Sequence, residues 1–240
     1  LRTDVLGVGF DSLTAEEAAA AGMELLEHGR GAYIVTPNPE IVWMCRKDPA
    51  LHAAIDAAAL VLADGVGISI GAKILGRPLK ARIPGIDFMS GLFPELAARG
   101  KRVFLLGAKP GVAQQAADRL AAQYPGLRFC GVHDGYFSED GPVLEEINAA
   151  SPDLLLVCLG APKQEKWMHT HADALRVPLM MGLGGALDVY AGVVERAPVR
   201  WQKLGLEWLH RLLREPWRIK RMSRLPVFLF AVIWQRIRGR

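Results

Sequence analysis

Short apolar runs punctuate the chain at Tyr33–Thr36, Leu60–Ala63, Val103–Gly107, Arg128–Val132, Leu154–Gly160 and Leu179–Gly182, and each reads as a buried strand. Between them, Ala15–His28, Gly111–Gln123 and Gly141–Ala149 repeat their apolar residues at helical spacing. Strands alternating with helices predict an α/β fold, with a mostly parallel sheet and helices on both faces. Such sheets bind ligands at the carboxyl ends of their strands. The chemistry is therefore expected in the residues that follow each apolar run.

Those residues are polar and rich in glycine. They are Thr36-Pro-Asn38-Pro-Glu40, Ala63-Asp64-Gly65, Gly107-Ala-Lys-Pro-Gly111, His133-Asp-Gly-Tyr136, Gly160-Ala-Pro-Lys-Gln164-Glu165 and Gly182-Leu-Gly184-Gly185-Ala-Leu-Asp188. Asp64 could act as a general base or could only order its Asp-Gly turn. Thr36 and Asn38, stiffened by prolines, could hold sugar hydroxyls or start the next helix. Arg82 could clamp a diphosphate or lie in solvent. Tyr136 could stack on a base or pack within its loop. Gln164 could meet a substrate oxygen at a helix N-terminus, whereas Glu165 reads as a first-turn dipole partner. Gly184 and Gly185 permit close backbone approach, and Asp188 could bind ribose or cap a turn.

Composition narrows the class. With 240 residues and 51% hydrophobic content the chain can build a full core, and 22% charge does not suit a disordered protein. Three scattered cysteines, without metal spacing, read as free thiols of a reducing compartment. No DxD pair or metal-ligand cluster is apparent, and the start LRTDVLGVGF has no signal-peptide pattern. No apolar run reaches the ~18 residues of a spanning helix.

Charge divides the chain into a core, 1–195, and an appendage, 196–240. Twelve Lys and Arg oppose two acids from Arg196 onward, whereas 17 oppose 23 before it. Trp201–Arg214 reads as one amphipathic helix, and Pro226 as a break or kink. The apolar stretch Val227–Trp234 and the following arginines suit a segment lying in a membrane interface. Aromatic residues interleaved with aliphatics favour membrane over nucleic acid, which is not expected as a partner. The apolar tail predicts self-association without lipid, and oligomeric state otherwise stays open.

TPNPEIV, ADGVG, RIPGID, GAKPGVA, VCLGAPKQEKW, GLGGALDVYAG, RAP and LEWLHRLLREPWRIKRM occur in that order from Thr36 to Met222. Together they resemble the WecG/TagA/CpsF glycosyltransferases. The resemblance implies a Rossmann-like fold whose C-terminal appendage helps complete the site. It implies inverting, metal-independent transfer of N-acetylmannosamine or a related hexose from a UDP-sugar. The acceptor would be a polyprenyl-diphosphate-linked sugar at the cytoplasmic face of the membrane, in cell-surface polysaccharide synthesis, with no cofactor. Asp64 then matches the base, and Thr36, Asn38, Arg82 and Gln164 match residues near the reacting centre. Tyr136 and Asp188 match the uridine side, with Gly160, Gly184 and Gly185 beside it. Arg211, Arg218 and Arg221 match residues that balance the leaving diphosphate. Two other classes compete: a non-catalytic binder of anionic ligands or nucleic acid using the basic tail, and another nucleotide enzyme such as a dehydrogenase. The missing GxGxxG pattern weighs against the latter.

Overall fold

Six strands form one sheet in the order β4-β3-β8-β7-β5-β6, with every pairing parallel. They are β3 (Ala32–Val35), β4 (Leu60–Val61), β5 (Arg102–Gly107), β6 (Arg128–His133), β7 (Leu154–Cys158) and β8 (Leu179–Gly182). The computed structural model describes residues 2–216, 219 and 224–239. All six strands fall where the apolar runs place them. Apart from the edge strand β6, whose residues are only partly buried, the sheet is buried on both faces, so its strands carry continuous apolar residues and little alternation.

Successive side chains of a strand point to opposite faces. One face carries Tyr33, Val35, Val61, Leu155 and Val157, covered by α2 (Pro39–Cys45), α3 (Pro49–Asp56), α4 (Val66–Ile74), α7 (Asp140–Ala150) and α8 (Lys163–His171). The other carries Ile34, Leu60, Leu154 and Leu156, covered by α1 (Ala15–His28), α5 (Gly85–Ala98), α6 (Val112–Gln123) and α9 (Ala186–Tyr190). Helix starts follow local chemistry. Thr14 and Glu17 form a reciprocal capping box on α1, and Asn38 and Asp48 accept the N–H groups of Ile41 and Leu51 at α2 and α3.

The structure departs from the sequence reading in three places. An antiparallel hairpin, β1 (Arg2–Val5) and β2 (Val8–Asp11), precedes α1 and buries Val5, Val8 and Phe10. Its strands, RTDV and VGFD, mix polar with apolar residues, and its turn is Leu6-Gly7 instead of an Asn-Gly pair. Second, the stretch read as one helix is two, α10 (Val199–Lys203) and α11 (Glu207–Arg214). Gly205 breaks it with φ +70°, and a Cβ there would lie 3.1 Å from Val66. Third, Pro226 neither breaks nor kinks α12 (Arg224–Ile237). It stands in the first turn, where a helix has no partner for a backbone N–H.

α12 packs against α2 and α4. Phe228 and Val232 are fully buried and belong to the core of the first face. Gly71 faces both side chains, and a Cβ there would touch each of them at 3.4 Å. Gln235 fastens α12 to the hairpin by donating to Asp4 (3.1 Å) and accepting from Leu6 N–H (3.3 Å). Among the described residues, no helix is long and apolar enough to cross a membrane.

Phe228→Ala is expected to destabilise the chain by about 3 kcal/mol, the usual cost of emptying a buried aromatic site. Phe230→Ser, on the exposed side of the same helix, should stay within about 0.5 kcal/mol. Urea denaturation midpoints compare the two.

Candidate active site

The loops at the carboxyl edge of the sheet are packed into one another. Asp64 N–H donates to Pro37 O (3.3 Å), and Ile83 N–H donates to Ala63 O (3.0 Å). The segments carrying Thr36–Asn38, Asp64 and Arg82 are thereby fixed side by side. Gly85, the first residue of α5, backs onto Thr36, since a Cβ there would come 3.0 Å from Thr36 Oγ1 and 3.1 Å from Leu183. The capping role of Asn38 is realised: its Oδ1 accepts from Ile41 N–H at 3.1 Å. Asp64 makes no side-chain cap to α4, whose N-cap is Gly65 at φ +83°.

Asp64 is partly accessible at its surface but deeply set in the fold, and loss of water pushes its carboxyl up to about 6. The positive charge of Arg82 opposes that rise, Glu207 adds to it, and the Gly65 backbone and Arg211 oppose it more weakly. Arg82 is not a solvated surface residue. Its side chain is 25% exposed, donates to Gln202 O at 3.3 Å and approaches Glu207 at 3.8 Å. The residues joining α10 and α11 to the core thus roof the Asp64 turn.

A second group lies after β7 and β8. Gln164 is 4% exposed, with both ends of its amide engaged inside the protein. Its Oε1 accepts from Gly184 N–H (2.9 Å) and its Nε2 donates to Glu165 Oε1 (2.8 Å). Gln164 therefore fastens the Gly184-Gly185 turn. Glu165 is more than a first-turn dipole partner: it is 2% exposed, burial raises its carboxyl, and its Oε2 has no partner among the described residues. Asp188 stands in the first turn of α9, half-buried. Gly160 and Gly184 face open space, with φ +76° and +53°.

Tyr136 follows β6, at the far edge of the sheet from β4. Its loop folds back over the middle: Gly135 N–H donates to Ala108 O (2.9 Å), and Lys163 Nζ reaches Gly135 O (3.5 Å). Gly107, at the end of β5, lies close against β7, since a Cβ there would lie 2.3 Å from Cys158 O. Tyr136 itself is 71% exposed on this rim, with its N–H held by Asp134 at 2.8 Å. It is free to present its ring to a ligand.

The structure therefore gathers Thr36, Asn38, Asp64, Arg82 and Arg211 at one pole. Gln164, Gly184, Gly185 and Asp188 occupy the middle, and Gly160 and Tyr136 lie toward the other pole. Arg218 and Arg221 lie outside the described residues. The sequence reading missed Glu207 and Arg196. Arg196 Nη2 donates to Asp87 at 2.9 Å and its Nε donates to Glu207 at 3.0 Å, and the Asp87 bonds hold it protonated well above the ordinary range. Lone acids in a basic tail were the available signal. No group of His, Cys, Asp or Glu among the described residues is placed to hold a metal ion. His169 and His171 are engaged separately, by Tyr33 and Asp140.

Comparison with known proteins adds the chemistry of relatives. The family model described as Glycosyl transferase WecG/TagA/CpsF family matches residues 3–240. An N-acetylglucosaminyldiphosphoundecaprenol N-acetyl-beta-D-mannosaminyltransferase of Bacillus spizizenii is 36% identical over 208 residues, covering 87% of this chain and 81% of that protein. A protein of the same name from Staphylococcus aureus is 36% identical over 234 residues, covering 96% and 92%. Neither the sheet nor the open edge would by itself separate this chemistry from other nucleotide-binding folds. With a family match along nearly its whole length and a carboxyl-edge site assembled from the same motifs, the chain belongs to the WecG/TagA/CpsF glycosyltransferase family.

Proposed function

We propose that the enzyme transfers N-acetylmannosamine, with inversion, from UDP-N-acetylmannosamine to N-acetylglucosamine on a polyprenyl diphosphate. The named activity of the relatives supports this sugar and acceptor. The observation that carries the mechanism is Asp64: dehydrated enough to bind a proton near neutrality, accessible enough to meet a hydroxyl, and beside two cations. In this reading Asp64 takes the proton of the acceptor hydroxyl as its oxygen bonds to the anomeric carbon. The bond from that carbon to the UDP oxygen breaks on the opposite side. Charge then grows on the departing diphosphate, where Arg82 and Arg211 are positioned to offset it, and the family resemblance assigns the same role to Arg218 and Arg221.

The nucleotide occupies the other side of the crevice. Tyr136 stacks on the uracil and Asp188 accepts from ribose hydroxyls, with Gly160, Gly184 and Gly185 leaving room for the backbone of the donor. Thr36 and Asn38 flank the reacting sugars. Gln164 acts from below, by holding the Gly184-Gly185 turn.

The site works at a membrane surface, where its lipid acceptor resides. α12 turns Phe228 and Val232 inward but exposes Val227, Phe230, Ile233, Trp234 and Ile237. These residues recur at helical spacing, so they form a second apolar face on the outside of the same helix. Arg238 lies over Trp234 at 4.4 Å, a pairing suited to the headgroup region. Residues 196–240 form the membrane-associating appendage in this reading, facing the cytoplasmic leaflet where UDP-sugars are available.

UDP release measured with the donor, with and without acceptor lipid, should be acceptor-dependent. Asp64→Asn should lower kcat by at least about 100-fold with the fold intact by circular dichroism. Full turnover in that variant removes the base assignment. Ionised Asp64 is the active form, so log kcat/KM for the wild type should fall as pH drops below about 6, with a slope near one. In flotation with anionic vesicles, Phe230→Ser with Trp234→Ser should release most of the protein into the soluble fraction. Unchanged flotation would refute docking through α12.

A further inference from the structure

Glu207 is one of two acids in a tail with twelve basic residues. A glutamate in the first turn of a helix is ordinarily explained by the helix dipole. Here both carboxylate oxygens also have partners from outside α11. Oε1 accepts from Arg196 Nε at 3.0 Å, and Oε2 faces Arg82 Nη1 at 3.8 Å. Arg196 in turn grips both oxygens of Asp87 in the first turn of α5. Charges therefore alternate from Asp87 through Arg196, Glu207 and Arg82, and the series ends beside Asp64. Arg196, Glu207 and Arg82 are only 20%, 21% and 25% exposed, so water screens them less than surface ions.

We propose that Glu207 is a positioning residue for glycosyl transfer: a single carboxylate, pinned between Arg196 and Arg82, that seats α11 over the Asp64 turn and sets the charge Asp64 and Arg82 present to the substrates. The part concerning proton affinity rests on the reading of Asp64 as the base. The seating part does not.

Among the described residues, four groups bear on the charge of Asp64. Arg82 comes from the segment before α5, Glu207 and Arg211 come from α11, and Gly65 offers its backbone. Glu207 is the negative member. Its charge makes Asp64 a stronger base, while its hold on Arg82 keeps that cation from collapsing onto Asp64 as a closed ion pair. Arg196 has the complementary effect. By neutralising Glu207 from the far side, it limits how strongly Glu207 acts on Asp64. Glu207 thus links docking of the appendage to readiness of the base, since both depend on one side chain.

The test uses the full chain with Glu207→Gln and Arg196→Gln. Two readouts are followed: the acidic limb of kcat/KM against pH, and hydrogen exchange over residues 199–214. Glu207→Gln removes a negative neighbour and should move the limb down by about half a pH unit. Arg196→Gln leaves Glu207 less neutralised and should move it up. Both should speed exchange across α10 and α11 several-fold. Loosening of the appendage alone would move both limbs in the same direction, and that result, or two unmoved limbs, overturns the electrostatic role. Unchanged exchange overturns the seating role. If Asp64→Asn keeps the wild-type acidic limb, the base reading fails instead, and exchange alone decides the place of Glu207.

Discussion

Parallel strands hydrogen-bonded side by side must all run the same way, so each crossover has to begin at the same edge of the sheet. In this protein six strands obey that constraint, and six loops consequently emerge at one rim. Residues more than a hundred positions apart become neighbours there. The loop after β3 packs beside the loop after β4, and the loop after β6 bends back over the end of β5. The strands need almost no polar side chains of their own, because both faces are covered. Polar residues are therefore concentrated at the rim and available for chemistry.

The rim also sets how strongly its charges are felt. Asp64 and Glu165 are both carboxyls pushed up by burial, but they are managed differently. Asp64 is surrounded by Arg82, Glu207 and Arg211, so its proton affinity is the balance of dehydration against charges of both signs. Glu165 is buried beside Gln164, whose amide donates to its Oε1. The proposed mechanism accordingly uses the first, which is partly accessible, and leaves the second buried. Gln164 connects the second to the crevice, because its other amide end fixes Gly184.

The C-terminal helix carries apolar residues on two sides. α12 needs one apolar face to pack on α2 and α4, and it carries a second facing outward. A helix that is apolar on two sides usually lies between two partners. Here the inner partner is the core, through Phe228 and Val232. The outer face, with Val227, Phe230, Ile233, Trp234 and Ile237, is the one proposed to meet the lipid surface. α11 reaches the rim through Glu207, which faces Arg82, and α12 packs on α2 and α4.

Sequence alone carried the architecture because a doubly buried strand leaves a compact apolar run, and its boundaries survive without any tertiary knowledge. It carried much of the site for a related reason: residues just past those runs must lie at the carboxyl edge, so Asp64, Thr36, Asn38 and Asp188 were marked by position. The hairpin of β1 and β2 was not legible, since its strands, RTDV and VGFD, mix polar with apolar residues and leave no continuous apolar run. Pro226 misled because its effect depends on where in a helix it stands. The surroundings of each marked residue were decided only by packing. Whether Arg82 meets solvent or a roof, and whether Gln164 points outward or is spent on Gly184, depends on segments distant in the chain. Glu207 and Arg196 illustrate the limit: an acid in a basic tail signals little until folding places it between two guanidinium groups. Hydrophobic pattern is local and is written into the chain, whereas proton affinity and ion pairing depend on distances in space that only the tertiary structure sets.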